Sequence, residues 1–226
     1  MSRRSILAVT VGATIAMAGA VRAQDAAVPV EREATHRTVF KNAWIQVFRV
    51  KLLPGRSSVM HIHAHDDVAV RLDSSASVNQ PQGKPEAPPS KTIPGMVSAR
   101  TNEPNPTIHR VRNVGTTLFD VLDVQALTRP DGAEAPPIVA PVAENPRMRA
   151  YRYELEPGAR IAEHTHTRPY LLVAATPIRL ETAPAHGVAR TVALKTGEFR
   201  WVTGPATHTM KNGGAAKGIV VEIELK

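Results

Sequence analysis

Most of this chain is written twice. Phe48-Arg49-Val50-Lys51-Leu52-Leu53-Pro54-Gly55 aligns with Tyr151-Arg152-Tyr153-Glu154-Leu155-Glu156-Pro157-Gly158 at an offset of 103. The same offset carries His61-Ile62-His63 onto His164-Thr165-His166. Further on, His109, Asn113 and Gly115 match His208, Asn212 and Gly214 at an offset of 99, and Val121-Leu122-Asp123-Val124 matches Val220-Val221-Glu222-Ile223. The first copy therefore holds four more residues between its second and third paired histidines. Order, spacing and residue type agree across many landmarks, which marks a duplicated unit that folds in the same way twice.

Each copy reads as short strands. Residues 44–53 are rich in β-branched and aromatic types and end at Pro54-Gly55; residues 151–155 end at Pro157-Gly158. Each copy closes with an apolar strand, 117–127 and 217–225. No window of 12 or more residues shows clean helical periodicity. Nineteen prolines and fourteen glycines supply turns rather than long helices. The pattern predicts an all-β sandwich or jelly roll. Residues 73–105, rich in Pro, Ser and Gln, are expected to form a long loop around a short strand at 91–98. Residues 128–145, with their prolines and alanines, read as a linker.

Seven of the nine histidines lie inside the repeated motifs: His61, His63, His65, His109, His164, His166 and His208. With no cysteine in the chain, thiolate metal sites and cysteine nucleophiles are excluded, so imidazole carries the candidate chemistry. Residues two apart on a strand face the same side, so His-x-His can aim two rings at one point. A metal about 2.0–2.2 Å from each nitrogen can sit between them. A third ring comes from a neighbouring strand, where His109 and His208 stand. His65 continues the alternation of His61 and His63; it reads either as a further ligand or nearby base, or as a residue at the barrel mouth. Arg179 and Arg200 could bind a carboxylate or face solvent, and His36 and His186 stand outside the motifs without a role.

Gly55-x5-His61-x-His63 with Asp67, and Gly158-x5-His164-x-His166, resemble the first cupin motif, Gly-x5-His-x-His-x3-Glu. Gly197-x5-Thr203-Gly204-Pro205-x2-His208-x3-Asn212 resembles the second, and His109-x3-Asn113 keeps its core after a segment three residues too long. The resemblance covers residues 35–226. It implies two tandem cupin-type double-stranded β-helix (jelly-roll) barrels, 35–127 and 146–226, joined by 128–145. It also implies a divalent metal, iron, manganese, zinc or nickel, held by His61, His63, His109 and Asp67 in the first unit and by His164, His166 and His208 in the second. Cupin sites commonly add a glutamate to three histidines; Asp67 stands at that position in the first unit and Tyr170 in the second. Tyr170, from that position, and His65, from the strand alternation, are the candidate catalytic groups. The implied activity is metal-dependent chemistry, dioxygenase-like or related, on a small organic acid or enolisable compound. The alternative is a non-catalytic cupin that binds a metal or small ligand.

Residues 1–23 read as an export signal: Arg3-Arg4, an uncharged run, then Ala23. Ser2-Arg3-Arg4-Ser5-Ile6-Leu7 also resembles a twin-arginine signal, and both export routes stay open. The run is diluted by Thr10, Gly12, Thr14 and Gly19, which favours cleavage over a stable membrane anchor and predicts a periplasmic or secreted protein. Removing it leaves 25 basic and 20 acidic residues, scattered without a block. Nine aromatics and no clustered basic face argue against a nucleic-acid partner. The expected partner is a small molecule, and a homo-oligomer is compatible with the sequence.

Overall fold

A computed structural model describes residues 26–131 and 136–226. The expected export signal at 1–23 lies outside them. Among the described residues, nineteen strands and a single 3-10 turn, Val30–Arg32, make up the secondary structure. No helix among the described residues is long and apolar enough to cross a membrane.

The strands form four sheets, two per unit. In the first unit one sheet runs Val28–Pro29, His61–His63, Thr107–Asn113, Ala76–Pro81, Ser90–Lys91; the other runs His36–Lys41, Ile45–Leu52, Phe119–Ala126, Asp67–Arg71, Val97–Arg100. The second unit repeats both orders. Ala143–Glu144, Met148–Leu155, Gly218–Leu225, Tyr170–Ala174 and Phe199–Val202 form one sheet. Arg160–His166, Ala206–Asn212, Ile178–Pro184 and Arg190–Leu194 form the other. Among the described strands, Val28–Pro29 has no counterpart in the second unit. It pairs in parallel with His61–Ile62, so the first unit is woven together ahead of residue 35.

The expected strands at 44–53, 117–127, 151–155 and 217–225 are all present, with ends shifted by a few residues. The segment 73–105 differs from expectation: it holds Ala76–Pro81 and Val97–Arg100 as paired strands, with Ser90–Lys91 between. Ser77, Asn79 and Gln80 read as loop chemistry, but the ladder to Thr107–Asn113 satisfies their backbone.

Period-two alternation explains where the core lies. On Gly218–Leu225, Val221, Ile223 and Leu225 face the other unit, and Val220 and Glu222 face the inside of their own barrel. On Phe119–Ala126, Leu122, Val124 and Ala126 face across, while Phe119, Val121 and Asp123 face inward. The outward rows of the two long sheets meet as one core in which Ile45, Val47, Val68 and Val70 pack with Met148, Leu171, Val173 and Ile223. Burying these aliphatic side chains contributes roughly 1.5–3 kcal/mol each, so the two barrels are held as one body. The inward rows are free to carry polar groups.

The asparagine of each His-x3-Asn motif closes a turn. Asn113 Nδ2 donates to Leu52 O and Thr117 O, both at 2.8 Å, and its Oδ1 accepts from Gly115 N at 2.9 Å. Asn212 does the same with Leu155 O, Ala216 O and Gly214 N at 2.9, 2.8 and 2.9 Å. Gly55 and Gly158 follow prolines at φ 74° and 79°, the left-handed conformation that a Pro-Gly turn requires, and each donates its N–H to that same asparagine's carbonyl.

Candidate metal centres

In both units the His-x-His strand runs antiparallel to the strand with the third histidine, and the register puts His61 opposite His109 and His164 opposite His208. Ring centroids of His61, His63 and His109 lie 5.0, 4.6 and 5.1 Å apart. Those of His164, His166 and His208 lie 5.2, 4.4 and 5.6 Å apart. The structure thus places the rings of each expected trio side by side, and all six are buried. Donor atoms of His164, His166 and His208 lie within 4.8 Å of one another, whereas in the first unit the histidines that meet this distance among the described residues are His36, His61 and His63, not His109.

Their company differs. In the first unit His61 Nδ1–H donates to Val59 O at 2.8 Å. A carbonyl can only accept, so the lone pair is on Nε2. His109 Nδ1–H donates to Asn79 Oδ1 at 2.5 Å, and His63 Nδ1 lies 3.3 Å from Asp67 Oδ2. The Nε2 atoms of all three are buried and bonded to no protein group. Burial pushes His61 down to about 3 and also lowers His63 and His109, which keeps all three neutral. Buried nitrogens with exposed lone pairs and tautomers fixed from behind are what a divalent cation takes as ligands.

Asp67 does not stand among those Nε2 atoms. Its carboxylate faces the Nδ1 edge of His63 and accepts from Arg100 Nε at 2.9 Å and Asn102 Nδ2 at 2.9 Å. Although burial alone would raise it, Arg100 and His63 hold Asp67 below the ordinary carboxylate range. Here it orients His63. Asp123, 3.5 Å from His63 Nδ1, is pushed well above that range by burial and by Asp67. His65 is elsewhere: the strand ends at His63, the chain bends, and the ring, 36% exposed, pairs with Glu103 at 3.0 Å. Alternation could not extend to His65 because the strand does not.

In the second unit the three Nε2 atoms converge on one carboxylate. Glu222 lies 3.3 Å from His164 Nε2, 3.2 Å from His166 Nε2 and 3.2 Å from His208 Nε2, with no exposure to solvent. One donor atom from each of these four residues falls within 4.8 Å of the others. His164 Nδ1–H donates to Ala162 O at 2.9 Å, so a neutral His164 would turn a lone pair towards Glu222. The arrangement demands positive charge at its centre, as protons or as a cation. Without a metal, burial would lower His166, but its hydrogen bonds to the Glu222 and Glu224 carboxylates outweigh this and push it up to about 9; His164 also rises, and the histidines hold Glu222 low despite its burial. The donor set, three nitrogens and a carboxylate, fits a divalent ion.

The expectation of a three-histidine second site therefore gains a fourth candidate donor, Glu222, from the closing strand rather than from the position of Tyr170. Its signal was legible: Gly-Ile-Val-Val-Glu-Ile-Glu-Leu is an apolar strand with two acids on one face, and buried acids need partners. Tyr170 stacks on His166 with centroids 4.0 Å apart, and its hydroxyl lies 3.2 Å from His208 Nδ1. Burial raises the phenol, so it stays protonated. His36, left without a role, stands 4.4 Å from the His61 ring.

Each cluster contributes a ring to the lining of a cavity. The first, about 60 Å³, is lined by His63, His109, Arg71, Arg100 and Asp123. The second, about 580 Å³, is walled by Leu172, Leu180, Val192 and Leu194, with Tyr170, His208, His186 and Arg200 as its ionisable groups. Arg200 thus reaches the cavity.

No protein-family model and no curated protein sequence matches the chain. Solved structures do. AerE from Microcystis aeruginosa superposes with a TM-score of 0.58 at 9% identity, over 86% of this chain and 98% of that one. A salicylate 1,2-dioxygenase mutant from Pseudoaminobacter salicylatoxidans, in complex with gentisate, gives 0.57 at 10% identity, over 87% and 76%. Oxalate decarboxylase from Bacillus subtilis, whose Mn(II) centres were characterised, gives 0.52 at 15% identity, over 81% and 69%. These likenesses show the fold: two tandem cupin-type barrels.

Proposed function

We propose that this bicupin-fold protein is an exported, metal-dependent enzyme acting on a small organic acid or enolisable compound, with the second unit as its reaction site. The observation that carries this reading is the convergence of three imidazole nitrogens and Glu222, with one of these donors, His208, lining a 580 Å³ cavity. His164, His166, His208 and Glu222 would hold a divalent ion, iron, manganese, zinc or nickel, which when bound supplies Lewis acidity towards a substrate oxygen. The chain's own groups do the rest. Leu172, Leu180, Val192 and Leu194 exclude water from the cavity wall, and Arg200 offers a planar fork for a carboxylate. Tyr170 fixes the His208 ring through Nδ1 and the His166 ring by stacking. That fold neighbours include an oxalate decarboxylase and a salicylate dioxygenase supports a small acid as substrate. Export rests on residues 1–23.

One observation favours a second reading. The described residues lining the second cavity include no carboxylate, and the Tyr170 phenol keeps its proton, so no strong base faces the cavity. A binder of metal or small ligand without turnover would need none. The two readings separate on protein isolated from its native exported fraction, by elemental analysis together with oxygen uptake and product formation over a panel of small carboxylates and enolisable compounds. Metal with turnover supports the enzyme, metal without turnover supports the binder, and protein free of metal overturns the enzyme and leaves only a binder of small ligand.

A further inference from the structure

The first unit has no equivalent of Glu222. Asp123 occupies that place in the repeat but is one methylene shorter, and its carboxyl approaches His63 at Nδ1, 3.5 Å away, rather than at Nε2. A different side chain stands near. His36 opens the strand His36–Lys41, pairs with Val50, and places its ring 4.4 Å from His61 and 5.8 Å from His63. One ring nitrogen each from His36, His61 and His63 lie within 4.8 Å of one another.

The ring is held from behind. His36 Nδ1–H donates to Glu33 Oε2 at 2.7 Å, and the same oxygen accepts from Thr35 N at 2.7 Å. Glu33 Oε1 accepts from Val59 N at 3.2 Å, while Val59 O takes the Nδ1 proton of His61. One backbone residue thus ties the two imidazoles into a single frame, and Glu33 leaves the His36 lone pair on Nε2. A carboxylate behind a histidine is the arrangement that orients a ligating ring and raises its basicity. Among the described residues, the segment that brings Glu33 and His36 has no paired counterpart in the second unit. Val28–Pro29, the strand without a counterpart, pairs with His61–Ile62 and leads into the Val30–Arg32 turn. In the second unit the corresponding edge strand, Ala143–Glu144, pairs only with Arg149 and Ala150 and stops short of Tyr153, the repeat of Val50.

We propose that His36 is a nitrogen donor of the first-unit metal centre, supplied from ahead of the repeated motifs and aimed by Glu33, so that this centre is built from imidazoles alone. The proposal rests on the reading that the first unit binds a metal through His61, His63 and His109. A centre of imidazoles alone leaves a divalent ion its full +2 charge, whereas Glu222 reduces it to +1 in the second unit. The two centres therefore favour different further ligands.

The test uses the full-length protein with the second centre disabled by His166→Ala. Co(II) binding is followed by visible absorption and by competition with a chelator. In that parent, His36→Phe keeps a ring against His61 and removes the nitrogen; it is expected to weaken Co(II) binding by about 100-fold and to change the spectrum, and His36→Ala should do the same. Glu33→Gln is expected to cost about tenfold with the absorption altered less. His65→Ala, outside the cluster, should bind as the parent does. Unchanged affinity and spectrum in both folded His36 variants would overturn the assignment of His36 while leaving the three-histidine reading intact. A parent that binds no Co(II) would overturn that underlying reading, and this proposal with it.

Discussion

In the first unit the motif histidines are neutral, and their Nε2 atoms meet no protein group. In the second the same three rings, on the same strands, close around a carboxylate that raises His164 and His166. One inward position on the closing strand makes this difference, Asp123 against Glu222. The next inward position follows suit: Gln125 contacts His63 Nδ1 at 3.3 Å, and Glu224 contacts His166 Nδ1 at 3.2 Å. Duplicated scaffolds keep ring placement because strand register fixes it. The electrostatics diverge because only a few side chains set them.

The largest expected effect comes from removing that difference. Glu222→Ala leaves three buried rings without their shared partner. Breaking a buried charged set by removing one member costs about 3–5 kcal/mol. We expect that loss of stability in metal-free protein by urea unfolding, together with a drop of more than about 100-fold in metal affinity at the second centre alone. Equal losses at both centres would show that the two units are not independent sites.

Where the units agree, the effects should agree. Asn113→Ala and Asn212→Ala each delete three hydrogen bonds of matching geometry, and Asn113→Ala also removes the acceptor of Ser75 Oγ. Each should cost about 3 kcal/mol of unfolding free energy, with metal affinity little changed. If either asparagine proved far more costly to metal binding than to stability, its role would be in the centre rather than in the turn.

These turns were legible in the sequence, and so were the fold and the two histidine trios, because Pro-Gly turns, alternation and fixed offsets are local properties of the chain. The fourth positions were not. Glu222 was visible as an acid in an apolar strand, but its partners lie 14 to 58 residues away and meet it only through sheet register. His36 lay outside the repeat, so no second copy drew attention to it. The alternation that suggested His65 failed at a bend, and strand ends are the least local feature of a ladder, set by whether a partner continues.

Acid and base should separate the units in metal-free protein. Burial holds His61 at about 3, below its unfolded value, so the unfolded chain binds more protons beneath about pH 6.5. The first unit therefore loses stability as pH falls from about 6.5 towards 3. His166 is pushed up to about 9, so its contribution is full below about pH 6.5 and is lost as pH rises through 9. Urea unfolding in chelator from pH 5 to 9.5 should show a maximum between these flanks. His61→Phe should flatten the acid side and His166→Phe the alkaline side. A profile unaffected by either change would mean that the rings do not set it.

The smallest effect concerns what stands behind the third histidine. In the first unit Asn79 accepts from His109 Nδ1, and in the second the Tyr170 hydroxyl stands 3.2 Å from His208 Nδ1. With Nε2 as the donor to an ion, the Nδ1 proton needs an acceptor. Tyr170→Phe removes that acceptor yet keeps the ring that stacks on His166 at 4.0 Å. The second centre should then bind metal about tenfold more weakly, within the range for partners that orient a ligand, and the first should be unchanged. Fold stability should fall by only about 1 kcal/mol, since one neutral hydrogen bond is lost and its partner can turn to cavity water. Full loss of metal, as severe as in His166→Ala, would instead make the phenol oxygen a ligand and move Glu222 out of the donor set. Full retention of metal with lost turnover would place the hydroxyl on the substrate, against the cavity wall it already lines.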